Sequence, residues 1–286
     1  MKKRITGCTL AVILGLLFTH TVAAASAPEK APRCLPQQEQ ANNNNNMILL
    51  GGTATGPMQR FAVGEFGKDV DRQKRMLGEF DACGVLSRVD MSFDKRENNT
   101  QLKLVMAIER IDDGWLGQFD VMVFVLRDGH EIPVHRKRGT THYVTGRNGS
   151  IISATEKFIQ QGEPGFTETV NHFDSRSRLI RTVSRSSDSD SNSDVRYSWN
   201  DRNQPVSSES DRSSIHWRYD KQGRELGVEV REVSPLVATS TLDECQLWDE
   251  KGNCTLSYSR EMEVSAAGLI RRNLSAASRY EYWGQP

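Results

Sequence analysis

Three histidines and two carboxylates lie close together near the middle of the chain. The group consists of Asp128, His130, Glu131, His135 and His142. Neutral imidazoles on neighbouring strands can bind a transition metal, so the group is a candidate metal site. The histidines are five and seven residues apart, so in a strand each successive imidazole changes face. The basic residues Arg136, Lys137 and Arg138 also oppose a cation, and the pattern therefore favours a solvated hairpin.

A second group resembles the start of a calcium-binding loop. It consists of Asp188, Asp190, Asn192 and Asp194. An EF-hand needs Gly at the sixth position and Glu at the twelfth, where this chain has Ser193 and Trp199. The group is therefore interpreted as a solvated turn, and we expect no metal and no cofactor.

The sequence contains no G-x-S-x-G, H-E-x-x-H or P-loop motif, which favours a non-catalytic role. Aromatic residues at strand ends usually fill the core of a sheet, and they can also line a ligand groove or a protein interface. The candidate binding aromatics are Trp115, Trp217, Tyr219 and Trp248.

The first residues are typical of a secretory signal peptide. Lys2, Lys3 and Arg4 precede an apolar run at 10–18, and small residues follow up to Ala25. We expect export and cleavage after about residue 25. The apolar run is too short for a membrane anchor of about 20 residues. A lipobox-like sequence ends at Cys8, but a functional lipobox follows the apolar run, and this one precedes it. A soluble mature protein is therefore expected, and lipid anchoring is the alternative.

Export leaves four cysteines, Cys34, Cys83, Cys245 and Cys254, in an oxidising compartment. Three pairings are open. The simplest joins Cys245 to Cys254 across one hairpin and Cys34 to Cys83 over a longer distance. A four-cysteine zinc site needs short C-x-x-C spacings, and the sequence has none.

The charges of the 286-residue chain balance, with 37 basic and 37 acidic residues. Cleavage near Ala25 removes three basic residues and no acidic one, so the mature chain has a net charge of −3. Nucleic-acid binders need a concentrated excess of Lys and Arg. The balance therefore predicts no nucleic-acid partner.

The stretch 26–50 is rich in Pro, Gln and Asn and is interpreted as a flexible leader. After it, apolar residues recur with a period of two. Val89, Met91 and Phe93 alternate with polar neighbours, as expected of half-buried strands. The run 119–126 is denser in apolar residues and ends at the hairpin signal Asp128-Gly129, so this hairpin is expected at the centre of the core.

The second half of the chain repeats one phrase. A large apolar residue precedes Asp, Asn or Ser, then two solvated residues, then a residue that tolerates positive φ. The short polar side chain can accept hydrogen bonds from the turn backbone, so each copy predicts one β-hairpin. The copies begin at Phe173-Asp174, Trp199-Asn200, Tyr219-Asp220, Trp248-Asp249 and Val264-Ser265.

The copy Arg218-Tyr219-Asp220-Lys221-Gln222-Gly223 resembles the YD repeats of RHS-type proteins. Other matching features are Gly56-Pro57 with Phe61, Cys83 ahead of an alternating strand, Glu97-Asn98-Asn99-Thr100, and Cys245 with Cys254 around Trp248-Asp249. Together they resemble the YnfC-type enterobacterial lipoproteins, a family of unknown function, in patches over 51–258. The resemblance implies a β-rich envelope protein and assigns no catalytic residue. The chain differs from that family in lacking a correctly placed lipobox.

These patterns predict an all-β protein built as one long antiparallel meander of YD-like hairpins, curved or partly closed. The expected organisation is a signal peptide at 1–25, a leader at 26–50, an N-terminal meander at 51–165 and a hairpin region at 166–286, continuous with the preceding sheet. The expected function is non-catalytic binding in the periplasm, with an unknown envelope protein or an apolar ligand as partner. The alternatives are an inhibitor or immunity-type partner of an envelope toxin or enzyme, and a carrier of lipid or another small ligand.

Overall fold

The computed structural model describes residues 34–35, 37–234, 237–266 and 268–284. The expected signal peptide at 1–25 and the first part of the leader lie outside these residues.

Sixteen antiparallel strands form one sheet that closes on itself. Each strand pairs with its neighbours in the sequence, and β1 pairs with β16 to complete the barrel. The strands are β1 Met58–Gly67, β2 Asp71–Phe80, β3 Leu86–Glu97, β4 Thr100–Ile111, β5 Gly114–Arg127, β6 His130–Thr145, β7 Ile151–Gln160, β8 Glu163–Phe173, β9 Leu179–Ser186, β10 Ser193–Trp199, β11 Pro205–Glu209, β12 Ser213–Tyr219, β13 Glu225–Val233, β14 Val237–Trp248, β15 Cys254–Ser265 and β16 Gly268–Tyr282. The predicted all-β antiparallel meander is confirmed, and its closure is complete.

The expected boundary between residues 165 and 166 falls inside β8. This strand pairs with β7 on one side and β9 on the other, so the two halves of the meander are one continuous sheet.

Hairpins of a closed meander connect alternately at two ends of the barrel. The connections β2–β3, β4–β5, β6–β7, β8–β9, β10–β11, β12–β13 and β14–β15 share one end with the start of β1 and the end of β16. A helix, α1 Gln38–Leu50, contacts several of these connections, so we call this the helix end.

The flexible leader expected at 26–50 is wrong for its second part, because Gln38–Leu50 is helical. Asparagine is a poor helix former, and Gln37 gives no side-chain cap, so local propensity does not explain the helix. Packing against the barrel does, since Ala41, Met47 and Leu49 are buried. Within the ranges that the structure describes, no helix is long and apolar enough to cross a membrane.

The core lies at the helix end. One cluster includes Leu86, Ile108, Trp115 and Ile151 with Leu49 of α1. A second one packs Met47 against Leu179 and Trp217.

The hairpin around Asp128-Gly129 was expected at the centre of the core, and this expectation is wrong. Its turn lies at the opposite end of the barrel, where Ile132 is 42% and Val134 49% exposed. A run of apolar residues shows that a strand is suited to burial but not which end of the barrel is packed.

Both expected disulfides are present. Cys34 and Cys83 bond over 49 residues and attach the segment before α1 to the β2–β3 connection. Cys245 and Cys254 bond over nine residues across the β14–β15 hairpin.

Candidate functional site

Five connections at the helix end share one turn geometry. In each, the Oδ1 atom of an Asp or Asn accepts two backbone N–H bonds, from the residues two and four positions later. The backbone N–H of the Asp or Asn donates to the carbonyl of the residue four positions later, and the N–H of the residue three positions later donates to the Asp or Asn carbonyl. The five turns are named by their first polar residue: Asp81, Asn200 and the three aspartates Asp174, Asp220 and Asp249.

The residue three positions after each Asp or Asn has positive φ. It is Gly in the Asp81, Asp220 and Asp249 turns, Asn203 in the Asn200 turn and Ser177 in the Asp174 turn. The turn chemistry predicted from the repeated phrase is therefore confirmed for four of its five copies. The copy at Val264-Ser265 lies at the opposite end, where Ser265 pairs directly with Gly268. The Asp81 turn was missed, although Phe80-Asp81 and Gly84 follow the same pattern.

Helix α1 holds two connections with side-chain amides. Asn44 Nδ2 donates to the Ser177 carbonyl over 2.7 Å, and its Oδ1 accepts from the Leu179 N–H over 2.9 Å. Asn45 repeats this pattern with Gly149 and Ile151, at 2.8 Å for both bonds. Each amide thus pairs with a backbone C=O and N–H as a neighbouring strand would. These asparagines are buried and are structural.

On another side of α1 lies a cleft of about 590 Å³. Helix α1 forms one wall, the Asn200, Asp220 and Asp249 turns form the opposite wall, and the segment 53–58 and the Asp81 turn also line the cleft. We call this space the helix-end cleft. Its polar side chains from α1 are Glu39, Asn42, Asn43 and Asn46. Its main polar side chains from the turns are Arg202, Gln204, Gln222, Arg224 and Lys251.

Several of these polar groups have no partner within 37–234, 237–266 and 268–284. Asn46 is only 8% exposed, and its amide makes no hydrogen bond there. Asn43, one helical turn earlier, makes none either. The Lys251 ammonium and the Glu39 carboxylate form no ion pair with any residue that the structure describes. The cleft therefore offers unused donors and acceptors from both walls.

Two arginines complete the turn wall. Arg224 Nε donates to Asp220 over 2.7 Å, and its guanidinium lies 4.9 Å from the centroid of the Trp248 ring. Burial alone would raise the pKa of Asp220, but hydrogen bonds from the Arg224 side chain and from backbone N–H groups lower it. Arg202 donates to the Lys221 carbonyl over 2.6 Å and has no carboxylate partner in the described ranges.

Two of the four candidate binding aromatics are corrected. Trp115 and Trp217 are 2% and 6% exposed, so both fill the core and neither is available to a partner. Tyr219 packs against the cluster around Trp217. Trp248 reaches the cleft only through Arg224, which lies over its ring.

The indole groups instead support the ends of neighbouring strands. Trp115 donates to Leu86, Trp199 to Leu179 and Trp248 to Glu225, each time to the carbonyl of the first residue of a strand. Burial of an indole N–H requires such a partner, which explains why these tryptophans occupy strand ends.

The histidines of the first candidate group lie along one strand, β6. His130 begins that strand and His142 pairs with Asp113 over 3.0 Å. Spacings of five and seven residues correspond to about 16 and 23 Å along a strand, so the imidazoles do not converge. No set of three or more His, Cys, Asp or Glu side chains is placed to hold a metal ion in the residues that the structure describes.

The acidic group at 188–194 forms the β9–β10 connection. Asp188 accepts a hydrogen bond from the Asp190 N–H, and Asp194 pairs with Arg181 across the strands. These carboxylates cap a turn and balance an arginine.

Comparison of the chain with protein-family models gives no match. Comparison with curated proteins gives no match either. Among solved structures, the chain is similar to a porin-like protein from Bacteroides uniformis ATCC 8492, with 7% identity and a TM-score of 0.37 over 80% of this chain and 99% of that one. The resemblance to the YnfC-type lipoproteins stays a prediction.

Proposed function

We propose that the chain is an exported, non-catalytic periplasmic protein that binds a polar ligand or partner in the helix-end cleft. The observation that carries this proposal is the amide of Asn46, which lines the cleft without a hydrogen-bond partner among the described residues, in the same cleft as the unpaired Lys251 and Glu39. A ligand that pairs with this amide gains hydrogen bonds from a residue whose position packing already fixes.

The two disulfides support export. Bonds of this kind persist in oxidising compartments such as the periplasm and are rare in reducing cytosol. They agree with the signal peptide that the first 25 residues predict.

Half-exposed ion pairs between strands support contact of the barrel wall with water. Cross-strand ion pairs with half-exposed side chains join Arg88 to Glu109, Arg136 to Asp120 and Arg181 to Asp194. Arg136 lies near the middle of β6, where an arginine on the lipid face of a membrane barrel would cost about 2–4 kcal/mol. A water-exposed barrel incurs no such cost.

The lining of the cleft favours a polar occupant over an apolar one. Amide and cationic side chains need hydrogen-bond partners, which a lipid chain does not provide. Among the alternatives, a protein partner such as an inhibited enzyme or toxin therefore fits this cleft better than a carried lipid.

Native mass spectrometry of protein purified from the periplasm tests the proposal. We expect a mature mass lacking about 25 residues, the loss of four hydrogens for two disulfides, and a bound ligand or partner. Lys251→Glu should weaken that association, whereas Lys221→Glu, the same charge reversal at a residue of the Asp220 turn that does not line the cleft, should weaken it far less. A retained leader, a diacylglyceryl mass, or no association that depends on Lys251 would contradict the proposal.

A further inference from the structure

The helix end already binds peptide groups with side-chain amides at three places. Asn44 and Asn45 each pair with a backbone carbonyl and a backbone N–H of a neighbouring connection. Asn253, in the Asp249 turn, does the same with Thr55: the Thr55 N–H donates to its Oδ1 over 2.7 Å, and its Nδ2 donates to the Thr55 carbonyl over 2.8 Å. A primary amide carries the donor and acceptor that an extended backbone requires.

On the cleft side of α1, Asn46 and Asn43 carry the same groups without partners in the described part of the chain. Three residues along a helix correspond to a rise of about 4.5 Å, so both amides lie along one side of the helix. Asn46 is more than nine-tenths buried and lines the cleft. It is therefore a preformed position for a backbone that the described residues do not provide.

The opposite wall carries uncompensated positive charge. Asp220 neutralises Arg224, but Arg202 and Lys251 have no carboxylate partner within 37–234, 237–266 and 268–284. Among the described residues, the one carboxylate that lines the cleft is Glu39, which lies on the helix wall. A ligand that spans the cleft therefore contacts amides on the helix wall and cations on the turn wall.

We propose that the helix-end cleft binds an extended acidic peptide segment of a partner protein. Its backbone pairs with the amides of Asn46 and Asn43, and a carboxylate of the segment pairs with Lys251 and Arg202. This inference rests on the proposed function and names the class of ligand. A glycan fits less well, because the apolar face of a sugar ring needs an exposed aromatic ring, and Trp248 is covered by Arg224.

A random dodecapeptide library displayed on phage, selected on the oxidised mature protein, tests the inference. We expect the selected peptides to be enriched in Asp and Glu. Their synthetic forms, measured by fluorescence polarisation, should bind Lys251→Glu and Asn46→Leu about tenfold or more weakly than the wild type. Lys221→Glu, in the Asp220 turn but with a side chain that does not line the cleft, should weaken binding far less than Lys251→Glu. Asn43→Ala provides a second cleft variant if Asn46→Leu does not fold.

Selected peptides without acidic residues, or affinities that are equal for the cleft variants and Lys221→Glu, would overturn the inference. The native mass measurement separates this failure from failure of the proposed function. A bound oligosaccharide that depends on Lys251 would leave the proposed function in place and exclude the peptide. Absence of both Lys251-dependent association and peptide binding would exclude both.

Discussion

At the scale of single residues, Glu225 has the clearest electrostatic role. It begins β13 directly after the Asp220 turn, and Trp248 donates to its backbone carbonyl over 2.8 Å. Burial, and secondarily the negative charge of Asp243, raise the pKa of Glu225 to about 7. The folded protein therefore keeps this carboxyl protonated at a pH at which the unfolded chain has already released the proton.

Glu225→Gln should remove a pH dependence from stability. Because the folded-state pKa is raised from 4.5 to about 7, the contribution of Glu225 to stability is complete below pH 4.5 and is lost as the pH rises to about 7. Relative to the wild type, the Gln variant should gain up to about 3 kcal/mol in unfolding free energy between pH 4 and pH 8. Urea unfolding at both pH values measures this gain. Glu250→Gln, on the exposed Asp249 turn, is the control, and an equal gain in both variants would refute the assignment.

At the scale of elements, α1 depends on its asparagines. Asn44→Ala would leave the Ser177 carbonyl and the buried Leu179 N–H without their partner. We expect a loss of about 2–4 kcal/mol in unfolding free energy, because unsatisfied buried backbone groups retain their desolvation cost. Asn43→Ala makes the same change in helix propensity one residue earlier and removes no hydrogen bond to a described residue. Urea unfolding of the two variants therefore isolates the bonds of Asn44, and similar midpoints would contradict this role.

The elements also show where the sequence is informative. The turns at Asp174, Asn200, Asp220 and Asp249 were predictable, because the Asp or Asn oxygen and the positive-φ residue act within six residues of one another. The pairing of Cys245 with Cys254 followed from the hairpin that they flank.

Helix α1 was not predictable from its asparagines, since their hydrogen bonds go to connections more than 100 residues away. For the same reason Asn43 and Asn46 were overlooked as cleft residues. The available signal was the apolar segment 47–50 followed by Gly51, which ends the helix with φ of 76°. The cleft forms only when α1 lies against the turns. The spacing of residues in the sequence therefore predicts neither the shape of the cleft nor the unpaired cations that line it.

At the scale of the whole molecule, closure joins the two ends of the meander. The sequence predicted a curved or partly closed sheet and did not specify full closure. Pairing of β1 with β16 depends on the twist of all sixteen strands, which spacing does not show. An ion network crosses this closure. Arg272 of β16 donates to Glu97 of β3 at 2.6 and 2.8 Å, and to Glu261 and Glu263 of β15 at 2.8 Å each.

Arg272→Met should weaken the closed barrel. Arg272 is 2% exposed, and its removal leaves three glutamates facing one another with less positive charge. We therefore expect the free energy of unfolding to fall by about 3–5 kcal/mol at pH 7.

Burial alone would raise the pKa of Glu97, but hydrogen bonds from Arg272 and Lys95 hold this pKa below 4.5. The stability that Glu97 contributes is therefore present above pH 4.5 and is lost as the pH falls through its lowered pKa, so the cost of Arg272→Met should shrink in acid. Arg279→Met, on the same strand with an 81% exposed side chain, should cost less than about 1 kcal/mol. Urea unfolding of both variants at pH 7 and pH 4 measures these differences, and a cost for Arg272→Met that is independent of pH would show that the guanidinium acts by packing alone.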